Sequence, residues 1–217
     1  LIVVAQDITR YGLDLEGRSL LPELLQGLCE IPGIEWIRLH YLYPDGIDEA
    51  LISVIEKNEK ILRYLDIPIQ HISDPVLKRM NRRMSGSEIE QLFVTLRERL
   101  PGLVLRTSLI AGFPGETKKD FAQLCAFLKR MKIERAGVFP YSEEEGTAAA
   151  EMDGQIPDDE KYRRTEIVMG IQQRVTDAYN RSVRGKTIRV LCEGYDQYAL
   201  CQFGRSYADS PEIDGKV

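Results

Sequence analysis

Leu105-Arg106-Thr107-Ser108-Leu109-Ile110-Ala111-Gly112-Phe113-Pro114-Gly115-Glu116-Thr117 is an apolar run with two hydroxyls that ends in a Gly-x-Pro-Gly turn, and an amphipathic segment from Lys118 to Met131 follows at once. Thr117 is placed to cap that segment, with Asp120 three residues on in a capping-box-like pair. The reading is a buried strand, a tight turn, and a helix whose free N–H groups point back at the strand's end. That geometry suits a polar or anionic ligand. The plain alternative is a βα connection whose glycines only make the turn.

Working outward, the same alternation repeats along the chain. Leu1 to Ala5, Ile34 to Leu42, Ile61 to Ile69 and Ala136 to Tyr141 are further β-type runs. Helical periodicity covers Ser19 to Cys29 with Ser19 as cap, a segment opened by Asp48, a short one opened by Asp74-Pro75, and one reaching about Arg99 with Ser87 and Glu90 as capping box. Five strands separated by helices, apolar on both faces, predict a parallel sheet covered by helices. The polar residues gather just beyond the C-terminal ends of the strands: Gln6 and Asp7, Tyr43 and Asp45, Gln70 and His71, Gly112 to Glu116, Ser142 to Glu145. In (β/α) barrels those loops build the active site.

From Gly154 the character changes. Pro157 opens a long charged helix to about Arg184, and two short β runs follow, Thr187 to Glu193 and Tyr198 to Phe203. Expected boundaries are therefore a barrel core over 1–150, a linker and long helix over 151–185, and a small β module over 186–217. That last stretch holds four basic and five acidic side chains, net −1, a poor electrostatic footprint for RNA.

Composition sets the outer bounds. The chain has 217 residues, 43% hydrophobic and 29% charged, with a formal net charge of −5, so a broad nucleic-acid face is disfavoured. No apolar run reaches bilayer length and no secretory leader is legible, so a cytoplasmic protein is expected. The first residues read as a strand already under way and the last as the start of another, which suggests an internal piece of a longer protein. Cys29, Cys125, Cys192 and Cys201 form no CxxC-type cluster and are expected as buried small hydrophobes in a reducing compartment. Pairing of Cys192 with Cys201 across two strands stays open.

Individual residues admit a plain and a functional reading. His71, at a strand end, is a half-buried structural histidine or a ligand contact; His40, inside a strand, reads as structural. Arg106 is a charge in a buried strand and must find a carboxylate, from the fold or from a ligand. Asp7 is an Asx-turn residue or a site carboxylate. Glu143-Glu144-Glu145 is a solvated loop or a place to greet a basic partner. The basic cluster Lys78, Arg79, Arg82 and Arg83 is a solvated face or a docking patch. No metal set, Ser/His/Asp set or P-loop is present.

Several stretches together resemble a known family. They are Val4-Ala5-Gln6-Asp7 with Tyr11-Gly12, Tyr41-Leu42-Tyr43-Pro44, Asp66-Ile67-Pro68-Ile69-Gln70-His71 and Met80-Asn81-Arg82-Arg83. Arg106-Thr107-Ser108, Gly112-Phe113-Pro114-Gly115-Glu116-Thr117 and Tyr141-Ser142-Glu143-Glu144-Glu145-Gly146-Thr147 complete the set. In combination they resemble the radical S-adenosylmethionine methylthiotransferases, over essentially the whole chain. Within that family they resemble the branch that methylthiolates an aspartate β-carbon of the small-subunit ribosomal protein S-twelve. The tRNA-adenosine branch usually reads Gly-Gln-Asn where this chain has Ala5-Gln6-Asp7, and Arg-Pro-Gly where it has Glu144-Glu145-Gly146. The tail Gly204-Arg205-Ser206-Tyr207-Ala208-Asp209-Ser210-Pro211-Glu212-Ile213-Asp214-Gly215 also resembles the protein-modifying branch.

The resemblance implies a six-stranded partial (β/α) barrel, five strands of it in these residues, followed by part of a TRAM-type β domain. It implies S-adenosylmethionine and two [4Fe–4S] clusters as cofactors, a small-subunit ribosomal protein as substrate, and an electron donor for cluster reduction. In the family the cofactor is reduced to a 5′-deoxyadenosyl radical that abstracts hydrogen from the target carbon. The cluster cysteines are expected upstream of Leu1, so these residues alone are expected to be inactive and to hold no metal. Carried over residue by residue, Gln6, Gln70, His71, Arg106, Ser108 and Gly112 are cofactor-contact candidates. Asp7, Tyr43 and Glu145 are substrate-side candidates. Two other classes stay open: a barrel enzyme holding a phosphorylated metabolite at the Gly112 turn, and a non-catalytic piece that docks on RNA or the ribosome.

Overall fold

Five parallel strands lie side by side in sequence order: β1 (Ile2–Val3), β2 (Ile37–Leu39), β3 (Ile61–Asp66), β4 (Val104–Ala111) and β5 (Arg135–Pro140). The computed structural model describes residues 1–217. Between the strands run α1 (Leu13–Glu16) and α2 (Leu21–Glu30), then α3 (Glu49–Lys57), then α4 (Asp74–Arg79) and α5 (Gly86–Arg99), then α6 (Lys118–Met131). α7 (Asp158–Val183) follows β5 and packs on β5, β4 and α6. An antiparallel hairpin, β6 (Val190–Asp196) and β7 (Cys201–Ser206), comes last.

Period-2 alternation explains β4 and, through it, the sheet. Leu105, Thr107, Leu109 and Ala111 are buried on the side where Leu124, Phe127, Phe93 and Leu96 of the helices form one hydrophobic core. Arg106, Ser108 and Ile110 alternate with them and are only partly buried. The registers Tyr64–Val104, Asp66–Arg106–Arg135 and Ser108–Gly137 put those residues on the same, concave face. The expectation of strands apolar on both faces is thus corrected: helices cover one face, and the other mixes charged and polar side chains such as Asp66, Arg106 and Ser108 with apolar ones such as Leu62, Val104 and Ile110.

Two of the caps expected from short-range chemistry are present. Asp48 accepts the Leu51 N–H, and Thr117 and Asp120 cap α6 reciprocally. Other expectations shift. Ser19 is not the cap of α2; Leu20 is, without a side-chain bond. Ser73 precedes α4, and the Asp74 carboxylate instead accepts the Gly86 N–H at 2.7 Å. The α5 capping box is Ser85 with Glu88, not Ser87 with Glu90. Gly86 allows that earlier start, because a Cβ there would collide with the Ile72 carbonyl. The strands are also shorter than expected. Leu1 to Ala5 contracts to Ile2–Val3, since β1 has a partner on one side only and Val4 stays 60% exposed.

The cysteines correct a further expectation. Cys29 and Cys125 are half-buried, Cys192 and Cys201 are exposed, and all four are free thiols. Register separates the last two: Cys192 faces Gly204 and Cys201 faces Asp196. After β7 the chain does not stay with the hairpin. Ser206–Asp214 turns into the barrel, where Ala208, Asp209 and Ser210 are buried. Ala208 packs on Leu62, Tyr64 and Val104, so the strap closes the end of the barrel where β3 and β4 begin. No helix is long and apolar enough to cross a membrane.

Candidate functional site

The other end of the barrel is open. Gln6, Tyr41, Tyr43, Pro68, Gln70 and Ser108 line a cavity of about 370 Å³ at the C-terminal ends of β1 to β4. That is a small-molecule dimension, within a range of roughly 300–1,000 Å³. Its residues are held firmly. The Gln70 N–H donates to Ser108 O at 3.0 Å and its carbonyl accepts the Ile110 N–H at 2.8 Å. Both Tyr41 (φ 59°) and Gln70 (φ 68°) are in the left-handed region, which costs a non-glycine residue roughly 1–2 kcal/mol. Strain of this kind persists where surroundings over-determine it, and it concentrates at ligand clamps. Tyr41 carried no signal beyond its place in the Tyr-Leu-Tyr-Pro stretch; its backbone conformation is what marks it.

A second cavity of about 450 Å³ adjoins the first through Tyr43. Asp7, Arg10, Asp45, Asn81, Arg82 and Arg83 are among its walls. The Arg82 guanidinium lies 4.9 Å from the centre of the Tyr43 ring, and Arg83 pairs loosely with Asp45 at 3.6 Å. The basic cluster therefore divides: Arg82 and Arg83 reach a cavity, Arg79 pairs with Asp153 at 2.8 Å, and Lys78 is exposed. Asp7 accepts the Thr9 N–H at 3.0 Å and the Thr9 hydroxyl at 2.6 Å, so it makes the turn while lining the cavity. Glu143, Glu144 and Glu145 are all exposed beyond β5, and none of them pairs with a cation.

One or two residues back along the same strands lies a buried polar cluster. The Arg106 guanidinium donates to Asp66 Oδ1 at 2.6 Å, and His40 Nδ1 lies 3.3 Å from Asp66 Oδ2. The fold supplies Arg106 with its carboxylate. Burial works to raise the Asp66 pKa, but the His40 hydrogen bond and the Arg106 charge outweigh it and hold the carboxyl below its ordinary range. Arg106 makes this single protein hydrogen bond, and its other nitrogens are not sealed from solvent. Its spare donors remain able to meet an anion. A charge within the run Leu65-Asp66-Ile67, one strand away from Arg106, was the available signal for the pair.

His71 and Gly112 lie apart from this cavity. His71 is fully buried; Nδ1 accepts the Ser73 N–H at 3.0 Å and Nε2 has no partner. Burial pushes its pKa down to about 4. Gly112 has φ 77°, and its N–H donates to the buried Glu116 carboxylate. Lys161 of α7 covers the position a Cβ would take. With the turn N–H taken by Glu116 and the helix start closed by Thr117 and Asp120, the Gly112 turn offers little to a phosphate.

The His71 environment makes a pH prediction. A histidine whose folded pKa lies below its unfolded value of about 6.5 favours the fold in its neutral form. That stability is present above pH 6.5 and is lost as pH falls toward 4, in all roughly 3 kcal/mol. Urea unfolding across this window should show the loss, and His71→Gln should remove that part of the pH slope.

No group of three or more His, Cys, Asp or Glu side chains is arranged to hold a metal ion. The isolated cysteines do not fit an iron–sulfur cluster.

Comparisons with known proteins agree with this architecture. A family model described as the radical SAM superfamily matches residues 12–128. The ribosomal protein uS12 methylthiotransferase RimO of Geotalea uraniireducens is 50% identical over 216 residues, covering 99% of this chain and 48% of the relative. The protein of the same name from Pelotomaculum thermopropionicum is 51% identical over 218 residues, covering all of this chain and 49% of the relative. The chain thus spans about half the length of the curated relatives it matches. Among solved structures, the radical SAM enzyme coproporphyrinogen III oxidase (HemN) of Escherichia coli superimposes with a TM-score of 0.51 at 19% identity, over 75% of this chain and 36% of that one. A family match through more than half of the residues, on a parallel sheet that opens at its C-terminal edge, makes this chain a member of the radical SAM superfamily.

Proposed function

We propose that the chain is the barrel portion of a methylthiotransferase that modifies an aspartate β-carbon of ribosomal protein uS12. The observation that carries this reading is identity near 50%, sustained over 99–100% of the chain, to relatives bearing that name. The exposed acidic loop Glu143–Glu145 supports it, because a carboxylate cluster without cations of its own suits a basic protein substrate.

The cavity fits S-adenosylmethionine by its chemistry. Tyr41, Tyr43 and Pro68 give flat apolar surface for an adenine. Gln6, Gln70 and Ser108 give hydrogen bonds, and the spare Arg106 donors suit a carboxylate. When bound, that cofactor supplies the methyl group and the reactive radical. The residues here bind it, orient it and keep water away. Asp7, Tyr43 and Glu145 face the approach of the substrate. His71 and Gly112 lie outside the cavity, and the Gln70 strand end is held instead by the Ser108 carbonyl and the Ile110 N–H. The residues present do not fit the iron–sulfur clusters, and no role toward them is assigned. The partners of the reading are uS12 and a one-electron donor, in the cytoplasm.

Mass spectrometry of uS12 tests the reading. Deleting the gene should remove the methylthio group, and complementation should restore it. An unchanged mass in the deletion strain would refute it.

A further inference from the structure

The Ser206–Asp214 strap is packed into the barrel rather than draped over it. It buries two carboxylates inside the barrel, which is costly unless cations and hydroxyls come to meet them. They do. Asp209 Oδ1 is 3.4 Å from Arg135 Nη2, and the Tyr64 hydroxyl donates to Asp214 Oδ2 at 2.6 Å. The Ser210 hydroxyl, 1% exposed, sits 2.9 Å from His40 Nε2. His40 leads through its other nitrogen to Asp66 Oδ2, and Asp66 Oδ1 leads to Arg106.

With Ser210 on one nitrogen and Asp66 on the other, the His40 ring cannot turn without losing both bonds. The Asp66 carboxylate is in turn pinned from two sides. His40, Asp66 and Arg106 are each linked to the cavity through their own chain segment. Tyr41 follows His40, Pro68 lies two residues past Asp66, and Ser108 two past Arg106; all three are cavity walls.

We propose that the strap is a positioning element for the ligand cavity: Ser210, acting through His40 and Asp66, fixes the Arg106 guanidinium on β4, two residues before the cavity wall at Ser108. The inference rests on the reading that the cavity takes S-adenosylmethionine. It adds that the Ser206–Asp214 strap, not the barrel alone, sets the affinity. Linkage makes the effect reciprocal: if an ordered strap favours the ligand, the ligand must order the strap.

The test uses the full-length protein with S-adenosylmethionine as the probe. Ser210→Ala should weaken binding by about tenfold, within the usual range of coupling between sites. Ser210→Thr, which keeps the hydroxyl, should restore it. In the unmutated protein, saturating S-adenosylmethionine should slow amide exchange at Ala208, Asp209 and Ser210, a readout that needs no variant to fold. Wild-type affinity in Ser210→Ala, or strap exchange indifferent to the ligand, would overturn the proposal. Ser108→Leu, in the cavity wall, separates the two claims. If it weakens binding while Ser210→Ala does not, only the strap role fails; if neither variant weakens binding, the cavity reading fails as well.

Discussion

Replacing Arg164 with Ala should destabilise the protein by about 3–5 kcal/mol in urea unfolding, the usual cost of leaving one member of a buried ion pair alone. Arg164 Nη1 donates to the Glu116 carboxylate at 3.0 Å and to the Glu116 carbonyl at 2.9 Å, and its Nε donates to Glu160 at 2.7 Å. The Glu116 side chain is wholly buried and also receives the Gly112 N–H. This pair joins α7 to the turn after β4.

Burial already raises the Glu116 pKa above the ordinary carboxylate range, and the Arg164 charge only partly offsets this. Without Arg164 the fold favours protonated Glu116 still more strongly. The folded pKa then lies further above the unfolded one, so stability falls as pH rises past about 4.5. The deficit relative to wild type should therefore shrink on acidification. The double variant Glu116→Gln/Arg164→Met should recover much of the loss, since it removes both charges while Gln keeps an acceptor for Gly112. A deficit independent of pH and undiminished in the double variant would assign the effect to lost packing alone.

Asp66→Ala should cost about 3–5 kcal/mol by the same logic, and it should also disturb the cavity. The variant leaves Arg106 without its protein partner and His40 with only Ser210. Arg106 is 13% exposed at its side chain and can recruit water, which places the expected loss at the lower end of that range. Unlike Arg164→Ala, this change should weaken S-adenosylmethionine binding, because the freed guanidinium no longer has a fixed position two residues before the cavity wall at Ser108. Parallel urea and binding measurements on the two variants distinguish a pair that holds the scaffold from one that holds the site.

The order of strands and helices was legible because each element announces itself over a few residues. The alternation of β4, the Asp48 cap and the Thr117/Asp120 pair all act within one turn or one strand. A candidate cavity was legible in outline for the same reason: polar residues just past strand ends mark the open rim of a parallel sheet, and Gln6, Tyr43, Gln70 and Ser108 line one cavity there. What escaped the sequence is long-range. Ser210 lies 170 residues from His40, and Asp209 lies 74 from Arg135. No local pattern shows that an acidic tail enters the barrel.

His71 and Gly112 stand outside that cavity for a related reason. Both sit at strand ends, as a ligand contact should, but packing turns them away from the cavity. His71 is sealed in the core, and the Gly112 N–H is occupied by Glu116. The Ser85/Glu88 cap was hidden by a second Ser-x-x-Glu spacing two residues on. Only the close approach of Gly86 to Ile72 separates the two. Cys192 and Cys201 escaped because exposure in a two-stranded hairpin depends on what lies over it, not on the composition of its strands.

Photolabelling tests the central claim most directly. An S-adenosylmethionine analogue with a photoreactive adenine, bound to the full-length protein, irradiated and mapped by peptide mass spectrometry, reports where the nucleoside lies. Label on the peptides bearing Tyr41, Tyr43 and Gln70, displaced by unlabelled S-adenosylmethionine, is the expected result. Displaceable label on the Gly112–Glu116 turn, with none on those peptides, would contradict it.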